Sequence, residues 1–134
     1  MTRVRRIETR LTRALRGALR HPAEAPVGEA MGLLRPFYEP ALGTEAVLTM
    51  GRALDVGRHR LGGIINVLPF SCMPGTVVAS MAPTLREATG GTPWLDVVFD
   101  GQEETNLNTR LGAFMHQALQ HHRQVGGARK AGAS

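Results

Sequence analysis

Apolar residues recur along the chain with two different periods, and each period marks an element. Val4, Ile7, Leu11, Ala14 or Leu15, and Ala18 or Leu19 return at three- and four-residue steps, so Thr2 to Arg20 reads as an amphipathic helix whose other face is arginine. His21 to Pro26 holds two prolines and breaks that helix. A short helical segment with Met31, Leu33 and Leu34 follows, before Pro36 and Pro40 interrupt again. From Thr44 to about Val56 the helical stripe returns as Ala46, Val47, Met50, Ala53 and Leu54. Thr44 suits the N-cap, Glu45 the positive end of the helix, and Gly57 its C-terminal stop.

The period then changes. Ile64 to Leu68 is an apolar, β-branched run between Gly62-Gly63 and Pro69, which fits a strand covered on both faces as in parallel sheets. A tight turn follows, and Cys72 stands just before the next helix, Gly75 to about Ala88, with Val77, Val78, Met81 and Leu85 at helical spacing and Thr76 near its start. Pro83 is expected to kink or weaken it. Thr89 to Pro93 is a turn. Trp94 to Asp100 is a second strand, with Leu95, Val97 and Phe99 on one face and Asp96, Val98 and Asp100 on the other. Asn106 to about His122 is a helix with Leu107, Leu111, Phe114, Met115, Ala118 and Leu119 inward, and Val125 to Ser134 has the composition of a disordered tail.

Strand, helix, strand, helix implies two parallel strands joined by a right-handed crossover. The expected class is α/β: an incomplete Rossmann-like or flavodoxin-like parallel sheet with flanking helices, plus the N-terminal amphipathic helix. The domain reading is a basic helix over residues 1–22, an α/β domain fragment over 23–124 and a tail over 125–134. Two strands do not make a free-standing parallel sheet. Further strands are therefore expected from another chain or from the rest of a larger domain, with an exposed sheet edge and sticky apolar faces meanwhile.

The 134 residues fit one domain, and 43% of them are hydrophobic, enough for a core. No apolar run reaches the ~18 residues of a membrane span, and no signal peptide is apparent. One cysteine excludes an internal disulfide framework and points to a reducing, cytoplasmic setting. The net charge of +5 is unevenly placed, because Arg3, Arg5, Arg6, Arg10, Arg13, Arg16 and Arg20 face only Glu8 in the first helix. That helix has the look of a transit peptide, a nucleic-acid arm or a membrane-surface helix, or of a solvated basic face whose apolar stripe packs on the domain or a partner. The remainder is near neutral, and one Trp and one Tyr give no stacking platform, so neither nucleic acid nor membrane is an expected partner.

Cys72 is the candidate for chemistry. In open α/β sheets, ligands collect beyond the carboxyl ends of strands, where the next helix aims free N–H groups. Three readings of the residue stand side by side: a thiolate ligand to a metal, a small buried hydrophobe, and a redox or nucleophilic thiol. No Cys-x-x-Cys pair supports a redox switch. Asp100, Gln102 and Asn106 fall at the same sheet edge, as an ordinary turn and cap or as polar partners of a bound group, and Arg110 lies one turn further on, placed for Asp100 or an anion. His116, His121 and His122 diverge around their helix. No phosphate-binding Gly-x-x-x-x-Gly-Lys loop, zinc-type His-Glu-x-x-His or Gly-x-Ser-x-Gly elbow occurs, so ATP hydrolysis is not expected of this chain.

Several segments, in order, carry a resemblance: Gly51-Arg52-Ala53-Leu54; Gly63-Ile64-Ile65-Asn66-Val67-Leu68-Pro69-Phe70-Ser71-Cys72-Met73-Pro74-Gly75; Pro93-Trp94-Leu95-Asp96-Val97-Val98-Phe99-Asp100-Gly101-Gln102; and Thr109-Arg110-Leu111-Gly112-Ala113-Phe114-Met115. From about Glu45 to Ala118 the chain resembles the carboxyl-terminal part of acyl-CoA dehydratase activase-related proteins, a group similar to 2-hydroxyacyl-CoA dehydratases and benzoyl-CoA reductases. The resemblance implies an iron–sulfur protein in which Cys72, within the Pro-Phe-x-Cys-Met-Pro motif, binds a [4Fe–4S] cluster, with Ser71, Met73 and Gly75 forming the cluster loop. It also implies an ATP-hydrolysing activase that passes an electron to a dehydratase or reductase acting on a CoA thioester. Where that group has an acidic residue after Thr-Arg-Leu, this chain has Gly112. Such a cluster takes about four thiolates, so the remaining ligands are expected from other subunits or domains, a second copy of the chain being a further candidate partner. The competing expectation is a non-catalytic scaffold or truncated remnant without a cluster.

Overall fold

In the computed structural model, residues 2–15, 18, 25–59, 61–101 and 106–131 are described. Five helices and two strands follow one another as α1 (Thr2–Leu15), α2 (Val27–Leu34), α3 (Glu45–Arg58), β1 (Ile64–Pro69), α4 (Met73–Ala88), β2 (Trp94–Phe99) and α5 (Leu107–Ala131), with a 3₁₀ turn at Pro40–Leu42. The class is mixed helix and strand with a parallel two-stranded sheet, compatible with α/β. No helix among the described residues is long and apolar enough to cross a membrane.

The core lies on one side of the sheet. Leu34 of α2, Val47, Met50 and Leu54 of α3, and Val78 and Leu85 of α4 are buried together, with Tyr38 and Trp94 packed against them. Each such aliphatic side chain contributes about 1.5–3 kcal/mol by leaving water. Thr44 caps α3 as its sequence suggests, its Oγ1 accepting from the Ala46 N–H at 3.3 Å. Asp55, buried on the same helix, accepts from the Ala25 N–H at 3.3 Å, and Arg52 donates to the Ala25 carbonyl, so α3 anchors the segment leading into α2.

The crossover brings β1 and β2 into the register Ile64↔Trp94 through Pro69↔Phe99. Ile64 donates to the Pro93 carbonyl at 2.8 Å and Phe70 to that of Phe99 at 2.7 Å. Parallel ladders alternate, so Asn66 and Leu68 also address β2, while the backbone groups of Ile65 and Val67 point away from it. Leu68 lies on the face that meets α4. Ile65, Val67 and Val97 lie on the other, where Phe114 of α5 rests against Gly63 and α5 covers β2.

Several expectations are corrected. β1 is covered on one face only: α5 buries Val97 but leaves Ile65 43% and Val67 61% exposed. Met115 and Leu119, expected inward on α5, are exposed, because they flank the buried Phe114 and Ala118 stripe instead of lying on it. Gly57 does not stop α3, which runs to Arg58 and is capped by His59. Its lack of a side chain serves packing instead, since a Cβ there would lie 2.2 Å from the Thr89 Cγ2. Pro83 sits exposed within α4, which continues unbroken around it to Ala88. The last helix extends past His122 and Val125 to Ala131, with no proline to end it. The described part of the basic helix ends at Leu15, and its Ile7 and Leu11 are exposed. Residues 1, 16, 17 and 19–22 of the 1–22 reading, 23, 24, 60 and 102–105 of the 23–124 reading, and 132–134 of the 125–134 reading lie outside the described residues.

Candidate functional site

Pro69 ends β1, and the chain reverses over Phe70-Ser71, closed by the Cys72 N–H on the Pro69 carbonyl at 3.2 Å. Ser71 takes φ +61°, a left-handed conformation that favours glycine. This turn delivers Cys72 directly to the N-cap of α4. Its carbonyl accepts from the Thr76 N–H at 2.9 Å and the Thr76 hydroxyl at 3.0 Å, so Thr76 serves the cap from within the helix.

The thiol makes no capping bond, and the residue is half-buried. Helix geometry leaves the first-turn N–H groups without internal partners. Pro74 has none to offer, so Met73 and Gly75 present the free amides beside Cys72. Such a helix end favours an anion. Met73 is 68% exposed and lies outside any packing. Gly75 has a packing role: a Cβ there would stand 2.7 Å from the Leu68 Cβ, so its absence lets α4 close onto β1.

A cavity of about 170 Å³ opens beside the thiol, lined by Cys72, Asn66, Gly75 and Val78 together with Glu45 and Thr49 from the start of α3. The larger cavity, about 510 Å³, is elsewhere, among Arg58, Thr89, Gly90, His121 and Gln124 where α3 and α4 end. Size alone would favour it. The smaller cavity is the better candidate, because it combines the carboxyl edge of the strands, a helix N-terminus and the chain's single cysteine.

The sequence-predicted residues Ser71, Cys72, Met73 and Gly75 thus fall within one turn at that edge. Asp100 and Asn106 are exposed there too, whereas Gln102 lies outside the described residues. Arg110 donates to the backbone carbonyl of Asp96 on β2. Sequence reasoning missed the pair Asn66 and Asp96, whose side chains join across the strands at 2.8 Å. It also missed Glu45 and Thr49 at the cavity. An amide interrupting an otherwise apolar strand was the available signal for Asn66.

Among the described residues no group of three or more His, Cys, Asp or Glu side chains is placed to hold a metal ion. Cys72 fits one position of a cluster's ligand set, and this chain's residues do not fit the whole set. No protein-family model matches the chain, and no curated protein or solved structure was found that matches it.

Proposed function

We propose that the chain acts as a fragment or subunit of an iron–sulfur acyl-CoA dehydratase or activase system, in which Cys72 supplies one thiolate to a [4Fe–4S] cluster shared with other domains or chains. The observation that supports this most is the half-buried, uncommitted thiol at the N-cap of α4, beyond the carboxyl end of β1. The quoted motifs around it supply the family reading. When bound, the cluster supplies one-electron chemistry to the partner that carries the substrate site. The chain's own part is to hold the ligand: Ser71 shapes the turn, Gly75 seats α4 against Leu68, and the Met73 and Gly75 amides favour negative charge. A cytoplasmic setting accords with this role.

A second reading, a non-catalytic scaffold without a cluster, is favoured by the single cysteine. Anaerobic co-purification with the products of neighbouring genes, followed by iron and sulfide analysis, separates the two. Cys72→Ala is expected to lower the iron content of the complex. Unchanged iron in that variant removes the ligand role, and absence of iron in every co-expression supports the scaffold.

A further inference from the structure

The helix α1 stands apart from the packing of the other elements. Those that close onto one another are α2 with α3, α3 with α4, β1 with β2, α4 with both strands, and α5 with β2. Ile7 and Leu11 of α1 are 60% and 58% exposed, and Ala14 is exposed beside them. The apolar stripe that marks this helix in the sequence is therefore not buried by the domain.

Its charge is as one-sided as its hydrophobicity. Over Thr2–Leu15 the helix carries Arg3, Arg5, Arg6, Arg10 and Arg13 against the single acid Glu8. At about 3.6 residues per turn, Arg6, Arg10 and Arg13, each one position before Ile7, Leu11 and Ala14, form a basic row along the flank of the apolar stripe. Among the described residues none of these three arginines has an ion-pair partner. The 14 residues, at about 1.5 Å each, make a rod of about 21 Å. That is shorter than the ~30 Å hydrocarbon core of a bilayer, so such a helix can lie along a membrane surface and cannot cross it.

We propose that α1 docks on an anionic phospholipid surface, lying in the plane of the headgroups with Ile7, Leu11 and Ala14 toward the acyl chains and Arg6, Arg10 and Arg13 on the phosphates. An amphipathic helix with arginine on its polar side and little hydrophobicity in total is the form that interfacial helices take. An arginine beside an apolar stripe lays its aliphatic stem against the acyl boundary and turns its guanidinium out to bond two phosphate oxygens. Other occupants match only half of the helix. A nucleic-acid backbone would neutralise the arginines and leave Ile7 and Leu11 in water. A second α1 would cover the stripe but bring two arginine rows together, like charge against like. A bilayer with anionic headgroups takes both halves at once. The near-neutral remainder of the chain is what argues against a membrane partner, and α1 is the exception to it. The docking needs neither Cys72 nor a cluster, and the anionic cytoplasmic leaflet offers such a surface to a chain in the cytoplasm.

The test sediments the full chain with vesicles of phosphatidylcholine mixed with phosphatidylglycerol, and with vesicles of phosphatidylcholine alone. The chain is expected to sediment with the first and not with the second, and to be released as salt is raised. A basic residue near an anionic surface strengthens binding about five-fold, so Arg6→Gln, Arg10→Gln and Arg13→Gln together are expected to lower partitioning about 100-fold. Ile7→Gln with Leu11→Gln, which keeps every charge, is expected to lower it by at least about ten-fold. All five positions are exposed, and urea unfolding followed by Trp94 fluorescence that agrees with the parent chain identifies each loss as one of docking. A parent chain that stays in solution beside the anionic vesicles overturns the proposal. So does an Ile7→Gln, Leu11→Gln chain that binds as tightly as the parent, which assigns α1 to polyanions at large, a DNA duplex among them. Cys72→Ala is expected to bind vesicles as the parent does, so that failure of the ligand role and failure of the docking are read separately.

Discussion

Asn66 on β1 donates its side-chain amide to the Oδ1 of Asp96, the residue directly across from it on β2, at 2.8 Å. The Trp94 indole N–H reaches the same oxygen at 3.0 Å. One partly buried carboxylate therefore fixes the strand register and the orientation of the single tryptophan at the edge of the core.

Removing that carboxylate leaves two donors with no acceptor. Asp96→Ala is expected to destabilise the fold by about 2–3 kcal/mol, as for lost hydrogen bonds to a charged group. Asn66→Ala removes only one of the two bonds and is expected to cost about 1 kcal/mol. Urea unfolding followed by Trp94 fluorescence measures both, and equal effects would contradict the shared-acceptor arrangement.

The turn before α4 stores backbone strain at Ser71, φ +61°. Ser71→Gly relieves a left-handed penalty of about 1–2 kcal/mol and loosens the unfolded chain by about 0.4–1 kcal/mol. The expected result is a net gain of about 0.5–1 kcal/mol, read as a higher denaturation midpoint at unchanged urea dependence.

Gly75 is the reverse case. Its added Cβ would stand 2.7 Å from that of Leu68, and overpacking of this kind costs about 1–3 kcal/mol. Gly75→Ala is therefore expected to lower the denaturation midpoint, and adding Leu68→Ala, which keeps the Cβ at 2.7 Å, is expected not to restore it.

Cys72 makes no capping bond through its thiol. Cys72→Ala is thus expected to change stability by no more than about 0.5 kcal/mol. A thermal melt that agrees with the parent chain makes any loss of iron from a complex a loss of ligation. A large drop in stability would mean that the sulfur is held by packing.

These contrasts show what the sequence disclosed. The helical stripes of α3 and α4, the Thr44 cap and both strands were legible because each rests on local spacing or local chemistry. The candidate turn was legible for the same reason, as Pro69 and Cys72 punctuate the end of an apolar run. The roles of Gly57 and Gly75 were not, because their necessity is set by Thr89 and Leu68, which approach only after the helices pack. The exposure of Met115 and Leu119 escaped the periodicity too. A stripe says which residues share a face, and only the finished packing says how wide a face is covered. Asp55 and Asp96 resembled ordinary polar positions until the Ala25 amide and the Asn66 and Trp94 side chains were brought to them.

The bond from Arg110 to the Asp96 carbonyl joins α5 to β2 through a main-chain atom. Every residue type has that oxygen, so the tether is blind to the identity of residue 96. Substitutions at 96 can disturb the strand register while this tether of α5 persists, whereas a shorter side chain at 110 removes the tether without touching the strand pair and leaves the helix to its Phe114 and Ala118 packing. Drift at these two sites should therefore be uncoupled, with 110 the less tolerant of change wherever the closing helix must stay in place.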